Sequence, residues 1–278
     1  MHIIIITHCS IDLYRKYLLS KEKSLNTINK YVKDIIYFKN YINNTFINRK
    51  HLLAYKEYLS NRYLPSTVNC KISALNSYLH FMKGDRLKLS YIKVQHNSFI
   101  SEDRLLNKEE YRRLLIAAKE RNNMRLYYLM MTICSTGIRV SELRYITKES
   151  LYEGKVLITN KGKSRTILIP DDLCIRLKKY AENISEGPIF ITSSGKPLNR
   201  SNIHHDMKKL CKDAKVDEHK VFPHNLRHLF ALSYYSIENN ISHLADILGH
   251  SSIETTRIYL TTSIKEHENI LSKMKLII

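Results

Sequence analysis

Apolar side chains recur every three or four positions through the first 84 residues, which is the period of an amphipathic helix. In SIDLYRKYLLS, Ile11, Tyr14 and Leu18 fall on one face, and SLNTINKYVKDIIYFKNYI continues the pattern behind Ser24, a preferred helix-capping residue. The segments HLLAYKEYLSN and PSTVNCKISALNSYLHFM repeat the pattern twice more. The sequence therefore predicts four helices with short connections, packed as a small helical domain over residues 1–84.

A polar, basic stretch without periodicity follows at residues 85–105, and it predicts a linker between two domains. Beyond it, Asn107 and Glu110 have the spacing of a helix-capping box, and Gly137 is placed to end a helix of largely apolar side chains. Runs of β-branched residues on either side of Gly162 predict a β-hairpin.

More helices are expected after the hairpin. They are predicted at about residues 171–184, 199–213, 224–236 and 241–249. Ser251 and Glu254 have the spacing of a further cap, which places Tyr259 on a short helix or just after it. The expected fold class is mainly α with a small β-sheet, with an α-rich second domain over residues 106–278.

The charge of the chain points to a polyanionic partner. The formal net charge is +19 and the sequence pI is about 9.6. Residues 1–100 hold 16 Lys and Arg against 5 Asp and Glu, so the first third is densely cationic. We therefore expect both domains to bind nucleic acid.

The cysteines and the N-terminus indicate a cytoplasmic protein. The five cysteines are widely spaced and form no CxxC pair, which argues against a disulfide framework or a cysteine-based zinc site and for a reducing cytosol. The opening MHIIIITH is too short for a signal peptide or a membrane span, and predicts a short strand or the lead into a helix.

Several side chains in the second half suit chemistry on a phosphate. They are an arginine after the glycine turn, lysines at the hairpin tip, a His-x-x-Arg pair on one helix face, a histidine after LG, and a tyrosine nine positions later: Arg139, Lys161, Lys163, His224, Arg227, His250 and Tyr259. Each alone is most simply explained by packing or solvation. Together they fit attack on a phosphodiester. Arginines bind phosphate oxygens and stabilise the charge that gathers there, a lysine can protonate the leaving oxygen, and a histidine can accept the proton of an attacking phenol.

The motifs TGIRVSEL, NKGKSR, PHNLRH and LGHSSIETTRIY, in this order, resemble the tyrosine recombinase (phage integrase) family along the whole chain, in the compact Xer-like form. The resemblance implies a helical core-binding domain followed by a catalytic domain. It implies that Arg139 and Arg227 clamp the scissile phosphate and that His224 accepts a proton or binds the phosphate. By the same resemblance His250 donates to the phosphate and Tyr259 is the nucleophile.

Supporting positions are also implied by the resemblance. Glu142 matches an acidic position of the family, and His228 lies one turn from His224. The family commonly has G-K-G-x-K-x-R at the hairpin, whereas this chain is one residue shorter and has Asn160 in place of glycine. Lys161 aligns with the catalytic lysine, and Lys163 is the alternative.

The implied activity is site-specific DNA recombination through a 3′-phosphotyrosyl intermediate, without a metal or nucleotide cofactor. The implied partners are double-stranded DNA, a homotetramer on paired sites, and possible accessory DNA-binding proteins. The tail after Tyr259 either packs on its own domain or docks on a neighbouring protomer. The predicted helix at 199–213 carries basic residues that the resemblance places near the major groove: Arg200, His204, Lys208 and Lys212.

Other readings remain open from the sequence. His224 and His228, with His204 and His205, have a spacing that zinc can use, although Arg227 beside them would repel a cation. A type IB topoisomerase-like enzyme uses nearly the same residues, and a displaced lysine would leave a DNA-binding protein with impaired catalysis. The pattern does not distinguish integration, excision, inversion and resolution.

Overall fold

The structure of the protein is a computed structural model. It describes residues 4–43, 46–93, 104–160, 163–184, 186–192, 194–250 and 252–260. The chain divides into two compact units, Met1–His96 and Asn97–Ile278.

The N-terminal unit contains the four predicted helices. They are α1 (His8–Ser20), α2 (Leu25–Tyr41), α3 (Arg49–Ser60) and α4 (Pro65–Phe81). Ser24 caps α2 as expected, because its side chain accepts a hydrogen bond from the backbone N–H of Thr27. The isoleucine run at the N-terminus forms strand β1 (Ile4–Ile5), which pairs antiparallel with β2 (Phe46–Ile47).

Aromatic side chains fill much of the core of this unit. Tyr14 and Tyr78 meet edge to face at 5.1 Å between ring centroids, and Phe38 and Tyr55 lie 4.7 Å apart. All four rings are essentially buried. Most tyrosines of this unit that the sequence placed on apolar helix faces are thus packing residues.

Part of the segment predicted as a linker packs against α4. Both polar groups of the Asn76 side chain bond to the backbone of Leu89, each at 2.8 Å, and Asn69 does the same for Ile92. Leu89 is buried. Two asparagines of α4 therefore satisfy backbone groups of this segment, which also contains a short 3-10 helix, Asp85–Leu87.

The second unit is mainly helical with one hairpin. Its elements are α5 (Lys108–Glu120), α6 (Met124–Thr136), α7 (Lys148–Glu153), β3 (Lys155–Asn160), β4 (Lys163–Leu168), α8 (Asp171–Tyr180), α9 (Arg200–Lys209), α10 (Cys211–Ala214), α11 (Pro223–Glu238), α12 (Ile241–Leu248) and α13 (Ile253–Arg257). Asn107 and Glu110 form the predicted capping box of α5, and Gly137 ends α6 in the left-handed region with φ of 63°. The mainly α fold with a small sheet is confirmed.

Several predicted boundaries are wrong. The helix expected at 171–184 ends at Tyr180, and the helix expected at 199–213 is interrupted at Leu210, a buried residue between α9 and α10. The cap of α13 is Ser252 and not Ser251, since the Ser252 hydroxyl accepts from the N–H of Glu254. Ser251 itself lies outside the described residues.

A short 3-10 helix, Val140–Tyr145, was not predicted from the sequence. Its first turn is closed by the carboxylate of Glu142, which accepts from the backbone N–H of Arg139 at 2.9 Å. Another 3-10 helix, Ile258–Leu260, follows α13 and contains Tyr259. Within the described residues, no helix is both long and apolar enough to cross a bilayer.

Candidate active site

Tyr259 lies in a pocket formed by three histidines. Its phenolic oxygen is 3.3 Å from Nε2 of His224, and its ring centroid lies 5.4 Å from that of His224, 5.2 Å from His228 and 5.5 Å from His250. The His250 ring stacks on Tyr259 with an interplanar angle of 15°. Two of the three rings converge because His224 and His228 are four residues apart on one face of α11. Only 4 % of Tyr259 is exposed.

The apolar side of this pocket is a small separate cluster. Ala231 of α11 and Leu244 and Leu248 of α12 are fully buried against Tyr259. The cluster packs the 3-10 helix of Tyr259 against α11 and α12. Helix α11 carries His224 and His228, and α12 leads into the turn that carries His250. Packing thus positions the phenol.

Arg227 is the most deeply buried cation of the site, with 2 % of the residue exposed. Its Nη1 donates to the backbone carbonyl of Gly137, and its Nη2 donates to the carbonyl of Leu248 at 2.7 Å. Burial, followed by repulsion from Arg139, lowers its pKa to about 10, so it remains charged at neutral pH. The guanidinium is therefore a fixed positive charge beside Tyr259.

His250 is held in one tautomer by its partners. Nη2 of Arg227 lies 3.0 Å from its Nε2, and a guanidinium nitrogen can only donate, so Nε2 accepts. Nδ1 then carries the proton and donates to the hydroxyl of Thr256 at 2.8 Å. Thr256 is fully buried and was not singled out from the sequence.

Arg139 also contacts the chain at the carboxyl end of α12. Its Nη2 donates to the carbonyl of Gly249 at 3.2 Å, and its Nη1 pairs with Oε1 of Glu142 at 3.1 Å. The Arg139 side chain is 38 % exposed, so it is accessible to a ligand, whereas Arg227 is enclosed. The two arginines that the sequence identified thus share one site.

Arg165 is a member of this cluster that sequence reasoning missed. Its Nη2 pairs with Oε2 of Glu142 at 2.6 Å, and its Nη1 donates to the carbonyls of Leu248 and, at 3.3 Å, Ile247. It is the last residue of the NKGKSR motif, and its inward position in β4 follows from alternation with Ile167. A charged residue at an inward strand position was the available signal.

Three arginines therefore gather at the carboxyl end of α12. Arg139, Arg165 and Arg227 all donate to the carbonyls of Leu248 or Gly249. The carboxyl end of a helix carries partial negative charge, which stabilises nearby cations. One carboxylate, Glu142, offsets part of the charge, and the site as a whole remains suited to an anion.

Burial lowers the pKa of all three histidines and keeps them neutral, and nearby arginines add to this at His224 and His250. Burial lowers the pKa of His224, and the charges of Arg227, Arg200 and Arg139 lower it further. Burial and Arg227 lower the pKa of His250 to about 4, and burial and His224 lower that of His228 to about 4. A neutral imidazole can accept a proton, which is what a phenol nucleophile beside His224 requires.

The remaining predicted residues are placed as follows. Lys161 lies outside the described residues, and Lys163 pairs through its backbone with Asn160 at the tip of the hairpin. Arg200, at the start of α9, and Lys212 are exposed, while Lys208 is half-buried and donates to the carbonyl of Glu218. The tail after Leu260 also lies outside the described residues.

A metal centre at these histidines has little geometric support. In the parts of the chain that the structure describes, no group of three or more His, Cys, Asp or Glu side chains is arranged to hold a metal ion. Arg227 occupies the space beside Nε2 of His250.

Comparisons with known proteins agree with the family suggested by the motifs. The model of the phage integrase family matches residues 104–266, and the model of the phage integrase N-terminal SAM-like domain matches residues 11–84. The chain is 29 % identical to a tyrosine recombinase of Agathobacter rectalis, over 94 % of this chain and 94 % of that protein.

Solved structures share the fold. The XerH site-specific recombinase, bound to palindromic difH substrate in a post-cleavage complex, matches with a TM-score of 0.72 and 22 % identity, over 95 % of this chain and 84 % of that one. A lambda integrase tetramer bound to a Holliday junction matches with a TM-score of 0.71 and 20 % identity, over 93 % and 78 %. The chain belongs to the phage integrase family of tyrosine recombinases, enzymes that cleave and rejoin DNA strands in site-specific recombination.

Proposed function

We propose that Tyr259 is the nucleophile of this recombinase and that it attacks a scissile phosphate held by Arg139 and Arg227. The observation that carries the proposal is the 3.3 Å distance from the Tyr259 phenol to Nε2 of a neutral His224, beside the buried guanidinium of Arg227. The phenol is activated during the attack itself, because its proton passes to His224 as the bond to phosphorus forms.

The covalent step balances within the site. The Tyr259 oxygen forms a bond to phosphorus, the bond from phosphorus to the 5′-oxygen breaks, and a 3′-phosphotyrosyl ester and a 5′-hydroxyl result. A lysine supplies the proton of that hydroxyl, and we assign this role to Lys161 from its position in the motif, with Lys163 as the alternative. The 5′-hydroxyl of the partner strand then attacks the ester, which releases Tyr259 and rejoins the DNA.

Arg139 and Arg227 are proposed to stabilise the non-bridging oxygens in the transition state. Their guanidinium groups bind backbone carbonyls of Gly137, Leu248 and Gly249, which fixes their directions before DNA arrives. Fixed donors of this kind need no reorganisation during the reaction. We expect Arg227 to contribute most, since burial lowers the local dielectric around it.

We propose that His250 orients Arg227 in the DNA-free protein. Its Nε2 accepts from Arg227, so it has no Nε2–H to offer a phosphate in this tautomer. Donation to the phosphate, the role that the resemblance implies, requires His250 to gain a proton or to exchange tautomers when the negative charge of DNA enters. His228 supports the site by packing on Tyr259.

The partners proposed are double-stranded DNA and other copies of the chain. The net charge of +19 supports binding dominated by phosphate contacts and therefore sensitive to salt. We assign Arg200, Lys208 and Lys212 to contacts with DNA, and the division into a core-binding domain (1–84), a linker (85–105) and a catalytic domain (106–278) stays part of this proposal. We infer a homotetramer on paired sites, which the lambda integrase tetramer bound to a Holliday junction supports. Accessory DNA-binding proteins and a cytoplasmic location are inferred from the sequence alone.

The test uses a nicked DNA duplex that traps the covalent adduct by losing the short strand carrying the 5′-hydroxyl. Wild-type protein is expected to form a stable adduct at its own recombination site. Tyr259→Phe should bind the same DNA without forming the adduct. Tyr152→Phe, which alters an exposed tyrosine, should behave as wild type. An adduct formed by Tyr259→Phe would show that another residue is the nucleophile. Relaxation of any supercoiled plasmid without site dependence would favour a topoisomerase-like activity.

A further inference from the structure

Arg165 connects the β-hairpin to Glu142 and to the carboxyl end of α12. Its side chain is 12 % exposed and lies between Glu142 and the end of α12. On one side Nη2 reaches Oε2 of Glu142 at 2.6 Å, and on the other Nη1 reaches the carbonyl of Leu248. Arg165 therefore touches the neighbours of Arg139 and of Arg227 at the same time.

The carboxylate of Glu142 is shared between two arginines. Oε1 pairs with Nη1 of Arg139 at 3.1 Å, whereas Oε2 accepts from Arg165 and from the Arg139 backbone N–H. The side chain of Glu142 is 4 % exposed, so solvent does not compete for these oxygens. The Arg139 side chain thus makes a single bond to the carboxylate, and its Nη2 donates to the carbonyl of Gly249.

The chain is also shaped around Arg165 at Gly249. A Cβ at this position would lie 2.3 Å from Cδ of Arg165, and Gly249 has φ of 63°. The glycine of the LGH motif is therefore required both by its backbone conformation and by the arginine that passes against it. Since His250 follows directly, Arg165 lies against the turn that leads to His250.

We propose that Arg165 is a positioning residue for DNA cleavage: by holding the second oxygen of Glu142 it keeps the guanidinium of Arg139 free to bind the scissile phosphate. This inference rests on the proposed function. Without Arg165 the buried carboxylate would pair with both nitrogens of Arg139, since a bidentate pair is the strongest arrangement open to it. The guanidinium of Arg139 would then face Glu142 instead of the phosphate, and its positive charge would be neutralised by the carboxylate.

The main variant is Arg165→Met, which keeps the length and apolar stem and removes the guanidinium. We expect single-turnover cleavage of the nicked duplex to slow by about 10²-fold, the cost of a misplaced reacting partner, with DNA affinity unchanged. Arg112→Met is the matched control, because Arg112 is 74 % exposed and pairs only loosely with Glu109 at 3.6 Å. Arg165→Lys restores a positive charge that reaches one partner but not both. The cleavage rate of Arg165→Lys should therefore lie between those of wild type and Arg165→Met.

A second substrate separates positioning from a general structural defect. If the scissile phosphate is replaced by a methylphosphonate, one non-bridging oxygen is gone and Arg139 matters less. The loss caused by Arg165→Met should shrink on this substrate, and Arg139→Ala with Arg165→Met should be no slower than Arg139→Ala alone. Should Arg165→Met fail to fold, Arg165→Lys gives the same comparison.

The outcomes are distinct. No loss, an equal loss on both substrates, or additive losses in the double variant would overturn the role of Arg165. If the wild-type protein forms no adduct with the phosphodiester, the proposed function itself fails, irrespective of Arg165.

Discussion

Nη2 of Arg227 donates to the backbone carbonyl of Leu248 at 2.7 Å, which places a buried positive charge at the carboxyl end of α12. The same nitrogen lies 3.0 Å from His250. Arg227 thus links the helix that carries His224 to the turn that carries His250, so its loss affects both the charge and the shape of the site.

Arg227→Ala is expected to lower the rate of adduct formation by about 10²–10³-fold, equivalent to roughly 3–4 kcal/mol of transition-state stabilisation. Arg227→Lys should recover part of the rate, because a point charge replaces the fork but cannot make all its bonds. The measurement is single-turnover cleavage, with Arg112→Ala as a control. A near-normal cleavage rate for Arg227→Ala would contradict a role of Arg227 in transition-state stabilisation.

The two lysines of the hairpin are distinguished by the leaving group. Lys161→Ala should slow cleavage of an ordinary phosphodiester and recover on a substrate with sulfur in place of the bridging 5′-oxygen, because a thiolate leaves without a proton. Lys163→Ala should cleave both substrates at the wild-type rate. If instead Lys163→Ala slows cleavage and recovers with the sulfur substrate while Lys161→Ala does not, Lys163 is the acid and the hairpin turn is rearranged relative to the family pattern.

Stability should fall with acid in a way that depends on His228. Its pKa is lowered from 6.5 to about 4 in the folded chain, so the unfolded chain binds its proton first. The stabilisation is complete above about pH 6.5 and is lost as the pH falls towards 4, at roughly 1.4 kcal/mol per pH unit for this group. Thermal unfolding of His228→Phe should show a shallower acid limb than wild type, whereas His205→Gln, at an exposed position, should not. An unchanged acid limb in His228→Phe would contradict the burial argument.

Two glycines in the same conformation allow a controlled comparison. Gly249 and Gly154 have φ of 63° and 66°, and a Cβ meets Arg165 at Gly249 but nothing within 4 Å at Gly154. Both Ala variants should lose about 1 kcal/mol of stability from the backbone alone. Gly249→Ala should in addition slow cleavage, since Arg165 must move, while Gly154→Ala should cleave as wild type. Equal cleavage rates for the two variants would contradict a role of Arg165 in the reaction.

The local elements could be predicted because their signals are local. The period of Ile11, Tyr14 and Leu18, the cap at Ser24 and the box at Asn107 depend on neighbours within a few residues, and the structure has the corresponding helices. Where packing competes with propensity, the prediction was wrong, as at the break between α9 and α10. The motifs also indicated the family, because the order and spacing of chemically distinct residues are rarely reproduced by chance.

The sequence by itself determined the helical segments, the basic charge and the set of side chains suited to a phosphate. Only the tertiary structure decided that Arg139 and Arg227 meet at one helix end, that Arg227 fixes the tautomer of His250, and that Arg165 shares Glu142 with Arg139. These contacts join residues up to 110 positions apart. No short stretch of sequence encodes them, because hydrogen bonds and ion pairs depend on distances in space that the packing of whole helices sets.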